Sequence, residues 1–183
     1  MQRVMNVLLI SYEKIPSDSA GVTRAFVFAK MIKSLGHNVA LIGTGNIPYL
    51  QPTIHDGVQC ISLRRPGESF RSRFQNYLMF TGRLKRCLKR ISDNHHIDLV
   101  FVLNVPLSST IMVKALAEKE QFRLVHDSTE WYSPSQFICG RLSYSYLSKD
   151  LLNRFFIDRH FSVIAISRFL EEHFISRGIK TVR

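Results

Sequence analysis

The side chains best placed to do chemistry stand in one run, His126-Asp127-Ser128-Thr129-Glu130, after the apolar segment Arg123-Leu124-Val125 and before Trp131 and Tyr132. An imidazole, two carboxylates and two hydroxyls stand there as neighbours, and each can donate, accept or carry a proton. A short apolar strand that turns polar at its carboxyl end marks the ligand crevice of an open parallel sheet. In such a place His126 can donate to a substrate hydroxyl or handle a proton. Asp127 and Glu130 can bind the hydroxyls of a sugar or orient the imidazole. The plainer reading is a polar loop that caps the next helix.

A second candidate lies near the N-terminus. The loop Ser17-Asp18-Ser19-Ala20-Gly21 precedes a helical period and holds a single glycine, so it is no dinucleotide fingerprint. Backbone N–H groups at that helix start can bind an anion, and Arg24, one turn in, adds charge. A capped turn is the alternative. Asp93, His95, His96 and Asp98 have the types of metal ligands but fall in a helix-to-strand loop away from the crevice. They read as solvated loop, and no metal site is expected. No nucleophile elbow, Walker A loop, HExxH or Cys/His zinc pattern occurs.

Positioning these groups requires a sheet. Near-continuous apolar runs at Arg3–Ser11, Asn38–Gly43, Val58–Leu63, Asp98–Leu103, Arg123–His126 and Val163–Ile166 predict buried strands. Between them, helical periods run over Val22–Leu35, Ser69–Ile91, Ser108–Glu120, Tyr144–Arg159 and Arg168–Arg177. Gly36 and Gly178 fit left-handed caps, and Ser167 fits an N-cap. Thr44–Gly57, with two prolines and two glycines, reads as loop. On Tyr144–Arg159 the inner side is expected to carry Leu147, Leu151, Leu152, Phe155 and Phe156. Lys180–Arg183 begins one more strand or a linker. The alternation predicts a Rossmann-like α/β domain, a doubly wound parallel sheet of six or seven strands in the order 3-2-1-4-5-6.

With 183 residues the chain fits one domain, 1–183, with a real core that 13 Phe help to fill. The three cysteines are scattered and read as idle thiols in a reducing cytosol. A net charge of +11 favours nucleic acid, an anionic membrane surface or a phosphorylated substrate as partner. The Ser69–Ile91 helix concentrates that charge, with Arg71, Arg73, Arg83, Lys85, Arg86, Lys89 and Arg90 set among Phe70, Phe74, Tyr77, Leu78, Leu84, Leu88 and Ile91, after Arg64 and Arg65. It reads as a solvated face, a nucleic-acid binder or a helix lying on anionic lipid, with the membrane surface ranked above nucleic acid. No stretch approaches the ~20 apolar residues of a membrane span, and no cleavable leader is evident, so a cytoplasmic location is the default.

Four motifs carry a resemblance. They are Ser19-Ala20-Gly21-Val22-Thr23-Arg24 with Leu35-Gly36-His37-Asn38-Val39, then Val125-His126-Asp127-Ser128-Thr129-Glu130-Trp131, then Val163-Ile164-Ala165-Ile166-Ser167 running into Arg168–Phe174, and finally Gly178-Ile179-Lys180-Thr181-Val182. In this order and spacing the chain resembles the N-terminal domain of family 4 retaining glycosyltransferases of the GT-B fold, two Rossmann-like domains facing across a cleft. The second motif is similar to that of members that build bacterial surface polysaccharides.

The resemblance implies transfer of a sugar from a nucleotide-sugar donor to a glycan or lipid-linked acceptor, with no cofactor and no required metal, and with the acceptor held mainly by this domain. By position, His126 would be the catalytic histidine that reaches the transferred sugar. Gly21 would approach the donor diphosphate, assisted by Arg24, and Asp127 and Glu130 would line the acceptor side. It also implies a cytoplasmic protein, peripheral at the inner membrane face through the basic helix, with no nucleic-acid partner. Two departures stand out. Ala20 replaces the first of the family's paired glycines. The C-terminal donor-binding domain, with its E-x7-E pair, is absent from this chain, which is expected to be inactive alone. The rival reading is a non-enzymatic membrane-surface or partner-binding Rossmann-like domain.

Overall fold

The computed structural model describes residues 3–45, 47–64 and 70–183, with side chains at 70–74 outside the description. The strands are β1 (Asn6–Ser11), β2 (Asn38–Gly43), β3 (Thr53–His55), β4 (Val58–Ser62), β5 (Leu99–Leu103), β6 (Arg123–Ser128), β7 (Phe161–Ala165) and β8 (Lys180–Val182). The α-helices are α1 (Ala20–Ser34), α2 (Phe70–Ser92), α3 (Leu107–Glu120), α4 (Tyr144–Leu151) and α5 (Arg168–Ser176). One sheet holds all eight strands in the order β3-β4-β2-β1-β5-β6-β7-β8. Every pairing is parallel except β3–β4. The six expected strands take their expected order. β8 continues the sheet at one edge, and the three-residue β3 completes the other.

β3 lies inside Thr44–Gly57, which the sequence reads as loop. The His55-Asp56-Gly57-Val58 turn folds it back on β4, with Asp56 and Gly57 both at positive φ. The described residues leave out the expected helix start at Ser69, the Arg65 charge, and the side chains of Phe70, Arg71, Arg73 and Phe74.

Each buried strand is apolar on both faces because helices cover both. On one side α1 brings Val22, Ala25, Phe26, Ala29 and Ile32 against Val7, Leu9 and Leu41. On the other, α2 contributes Phe80, Leu84 and Leu88, α3 contributes Val113 and Ala117, and α5 contributes Leu170 and Phe174. Burying a side chain of the size of Leu84 or Leu88 contributes about 1.5–3 kcal/mol.

The long helix expected at Tyr144–Arg159 is shorter. It passes at Leu152 into a single π turn ending at Phe156, and Ile157 is extended. Its expected inner side is also revised. Of Leu147, Leu151, Leu152, Phe155 and Phe156, only Leu152 is buried. The buried face is instead Ser148, Leu152 and Asn153. Leu147 and Leu151 precede the π turn and are exposed as well, because α4 itself turns its large apolar residues outward; the wider π turn shifts the phase of the far half further.

Two glycines close the loop that follows β1. A Cβ on Gly45 would stand 1.4 Å from the Ile15 carbonyl oxygen, and one on Gly43 would stand 2.2 Å from the Ile15 side chain. Only glycine lets the backbone of that loop lie so near the end of β2.

Candidate functional site

The order of winding reverses between β1 and β5, and the crevice opens at the carboxyl ends of these strands and of β6. Alternation along β6 sends neighbouring side chains to opposite faces. His126 pairs in register with Val102 and Val163 and faces the α2–α4 layer, while Asp127 faces α1.

Asp127 is held by Arg24. Nε and one terminal nitrogen of the guanidinium donate to its two carboxylate oxygens at 2.7 and 2.8 Å. The Asp127 side chain is 3% exposed and Arg24 32%. Hydrogen bonding to Asp127 raises the Arg24 pKa, and burial opposes it. The guanidinium also lies 4.9 Å from the Phe28 ring centroid. The sequence assigned both residues to substrate, and the fold brings them together as a bidentate pair.

His126 is buried, with its Nδ1 unpartnered among the described residues, as is Ser128 Oγ two residues on along the same face. The Asn153 side chain hydrogen-bonds the imidazole, and Phe161 lies edge-on at 6.4 Å. Burial pushes the imidazole pKa down from 6.5 to about 4, and the Asn153 bond offsets this in part. At that pKa the imidazole is neutral at pH 7, a form that can donate one hydrogen bond and accept another. It borders a cavity of about 40 Å³ that Asn104, Ser128, Glu130, Lys149 and Asn153 help to line. That is room for one water or one ligand hydroxyl.

Gly21 sits in the first turn of α1, which Ser19 caps by accepting the Val22 N–H at 3.2 Å. The Glu13 carboxylate lies over it, and a Cβ on Gly21 would stand 2.0 Å from Glu13 Oε1. Ser19 Oγ donates to Glu13, and Asn104 Nδ2 donates to it at 3.3 Å. Lys149 Nζ donates to Asn104 Oδ1 at 3.2 Å and stands 4.0 Å from the centre of the Tyr132 ring. Burial lowers the Lys149 pKa, opposed by Glu130 and Glu13. Burial and a hydrogen bond to Glu130 raise that of Tyr132. A chain of polar groups, Ser19-Glu13-Asn104-Lys149-Tyr132-Glu130, thus crosses the crevice mouth.

Beside it lies an open groove of about 430 Å³, bordered by Trp131, Ile166, Phe169 and Leu170. Trp131 meets His173 edge-on at 4.6 Å and Phe169 at 5.6 Å.

Glu13, Asn104, Lys149 and Asn153 are absent from the sequence-based site, and Tyr132 stands in its focal run without a role. Asn104 carries the signal that drew attention to His126, a polar residue where an apolar strand ends, and its φ of 46° sets it apart further. Lys149 and Asn153 carry no such signal, since they enter from a helix whose phase the sequence misjudges. Among the described residues no group of three or more His, Cys, Asp or Glu could hold a metal ion. Asp98 instead ties Arg3, at 3.0 Å, to the backbone N–H of Asn6, at 2.8 Å.

The comparison with solved structures gives glycosyltransferases. Sucrose-phosphate synthase of Thermosynechococcus elongatus superposes over 97% of this chain and 47% of its own, with a TM-score of 0.71 at 12% identity. The Arabidopsis thaliana glycosyltransferase UGT89C1 in complex with UDP matches over 98% and 48%, with a TM-score of 0.59 at 11% identity. The lipopolysaccharide outer core galactosyltransferase WaaB matches over 98% and 45%, with a TM-score of 0.54 at 12% identity. The fold is that of one Rossmann-like half of a GT-B glycosyltransferase. The chain spans about half the length of the structures it matches. No family model and no curated protein sequence matches it.

Proposed function

We propose that this chain is the N-terminal, acceptor-side domain of a family-4-like, retaining glycosyltransferase of the hexosyltransferase type. It would act with a second, donor-binding domain, moving a sugar from a nucleotide sugar to a glycan or lipid-linked acceptor in bacterial surface polysaccharide synthesis. Its place would be the cytoplasmic face of the inner membrane. The observation that carries this reading is the polar chain across the crevice mouth, at the switch point of a GT-B half.

Each residue then has a task its geometry permits. Neutral His126, with Nδ1 unpartnered, offers a hydrogen bond to a hydroxyl entering the small cavity. Glu130, Tyr132, Asn104 and Lys149 bind acceptor hydroxyls. Asp127 serves through Arg24, fixing α1 against β6 behind the site. The backbone at Gly21 meets the donor diphosphate once the Glu13 side chain has swung aside. No resident metal or cofactor is invoked.

The test is transfer by the native polypeptide that contains this chain. His126→Ala should lower kcat/KM by about tenfold or more, the worth of one hydrogen bond of about 1.5 kcal/mol, with the circular dichroism spectrum unchanged. A wild-type rate would remove His126 from the mechanism. The rival, a non-enzymatic membrane or partner-binding domain, draws on the exposed cations of α2. It requires that the native protein bind no nucleotide sugar.

A further inference from the structure

Asn153 is a buried amide, 5% exposed, and it stands where α4 has passed into its π turn. Burying an amide is costly unless its oxygen and its N–H groups find partners. Its backbone is fixed from outside the helix. The π turn closes with the Ile157 N–H donating to the Leu152 carbonyl at 3.0 Å, and the next carbonyl, that of Asn153, is taken by α5. Arg177 donates to it through Nη1 at 2.5 Å and His173 through Nε2 at 3.2 Å. Trp131 steadies His173 in turn, edge-on at 4.6 Å. The extra residue of a π turn re-aims the side chains around it. Here it brings Asn153 to the cavity of about 40 Å³ that His126 and Ser128 also line.

The amide meets the imidazole there, and two observations fix which atoms do so. Nδ1 of His126 has no partner among the described residues, so the bond is made at Nε2. The bond raises the imidazole pKa, as one donated by a ring N–H does and one accepted by a ring lone pair does not. Nε2 therefore carries the proton, the Asn153 oxygen accepts it, and in the neutral ring Nδ1 keeps a bare lone pair.

We propose that Asn153 is a positioning residue: held in place by α5, it locks His126 in the Nε2–H tautomer, so that Nδ1 is offered to the cavity as an acceptor only. The chemistry of the occupant follows. A group seated against Nδ1 must donate a proton, and Ser128 Oγ, unpartnered on the same face of β6, can donate to that group in return. A hydroxyl meets both demands, whereas an ether or carbonyl oxygen meets only the second. Only the identity of that hydroxyl rests on the transferase reading; the tautomer does not depend on it.

Nitrogen-15 NMR of the native polypeptide that contains this chain, labelled at histidine and assigned by the signals lost in His126→Gln, tests the lock. At about pH 7.5, Nδ1 of His126 should give the shift of a bare ring nitrogen. Nε2 should give that of a protonated one, with its proton far downfield and slow to exchange. Asn153→Leu, close in size, should abolish the downfield proton, and Asn153→Asp, which keeps an accepting oxygen, should retain a protonated Nε2. A bare Nε2 in the wild type, or a Nε2 proton unchanged in Asn153→Leu, would overturn the proposal. If Asn153→Leu does not fold, Asn153→Asp decides it, and a bare Nε2 in that variant overturns it equally. Turnover separates positioning from plain packing. Asn153→Leu should lower kcat/KM for nucleoside diphosphate release by about tenfold, yet cost nothing further in the His126→Gln background. A second full loss in that background would mean that Asn153 does not act through His126. If the wild type turns over no nucleotide sugar, the transferase reading fails while the NMR result still decides the lock.

Discussion

Burial of His126 as a neutral imidazole has a consequence for stability that can be worked through. Its folded pKa of about 4 lies below the 6.5 of the unfolded chain, so between those values the unfolded state binds more protons. Stability therefore rises with pH across that window, is complete above 6.5, and is lost as pH falls toward 4. Linkage gives a loss of about 2 kcal/mol between pH 7.5 and pH 5, approaching about 3 kcal/mol near pH 4. Carboxylates titrate in the same range, so the informative quantity is the difference between the wild type and His126→Gln, which has no such proton to bind. Urea unfolding can be followed through Trp131, the only tryptophan of the chain. With an m-value of about 2 kcal/mol per molar, the wild-type midpoint should fall by about 1 M more than that of the variant between the two pH values. Equal falls would mean that the folded imidazole takes up its proton freely, and the neutral hydrogen-bonding role assigned to it would be wrong.

Other changes test the frame around the site. Arg24→Ala leaves the Asp127 carboxylate buried and unpaired. It should cost about 2–3 kcal/mol in urea unfolding, below the range for a fully buried pair because Arg24 is partly exposed, with Arg24→Lys in between. Gly45→Ala drives a methyl into the Ile15 carbonyl and should cost more than about 2 kcal/mol, whereas Gly21→Ala displaces only the flexible Glu13 side chain and should cost under about 1 kcal/mol. Burial raises the thiol pKa of Cys60 and Cys87 to about 11, while Cys139 is exposed. Maleimide at pH 7.5 should therefore label Cys139 alone in the folded protein, as mass spectrometry would show.

The strand order was legible because buried parallel strands announce themselves as apolar runs, and crossover handedness leaves few ways to connect them. The edge strand β3 was not. Three residues between turn-forming Pro52 and Gly57 give no periodicity, and the pairing rests on a turn whose positive φ values only coordinates reveal. At the crevice, His126 and Glu130 could be found because they follow the end of a strand. Which face each neighbour takes could not, since one residue of register decides whether His126 or Asp127 turns toward α1 and Arg24. Lys149 and Asn153 were hidden for a different reason. Their helix carries its large apolar residues outward, so the usual rule that such a stripe marks the inner face pointed the wrong way.

The central claim is that the chain is half of a sugar-transferring enzyme that uses an activated donor. The most direct measurement is release of nucleoside diphosphate when the native polypeptide is incubated with a panel of nucleotide sugars and a membrane extract as acceptor. The account predicts release from at least one donor, dependent on the extract and reduced by about tenfold or more in His126→Ala. No release from any donor, together with no nucleotide-sugar binding by calorimetry, would contradict it.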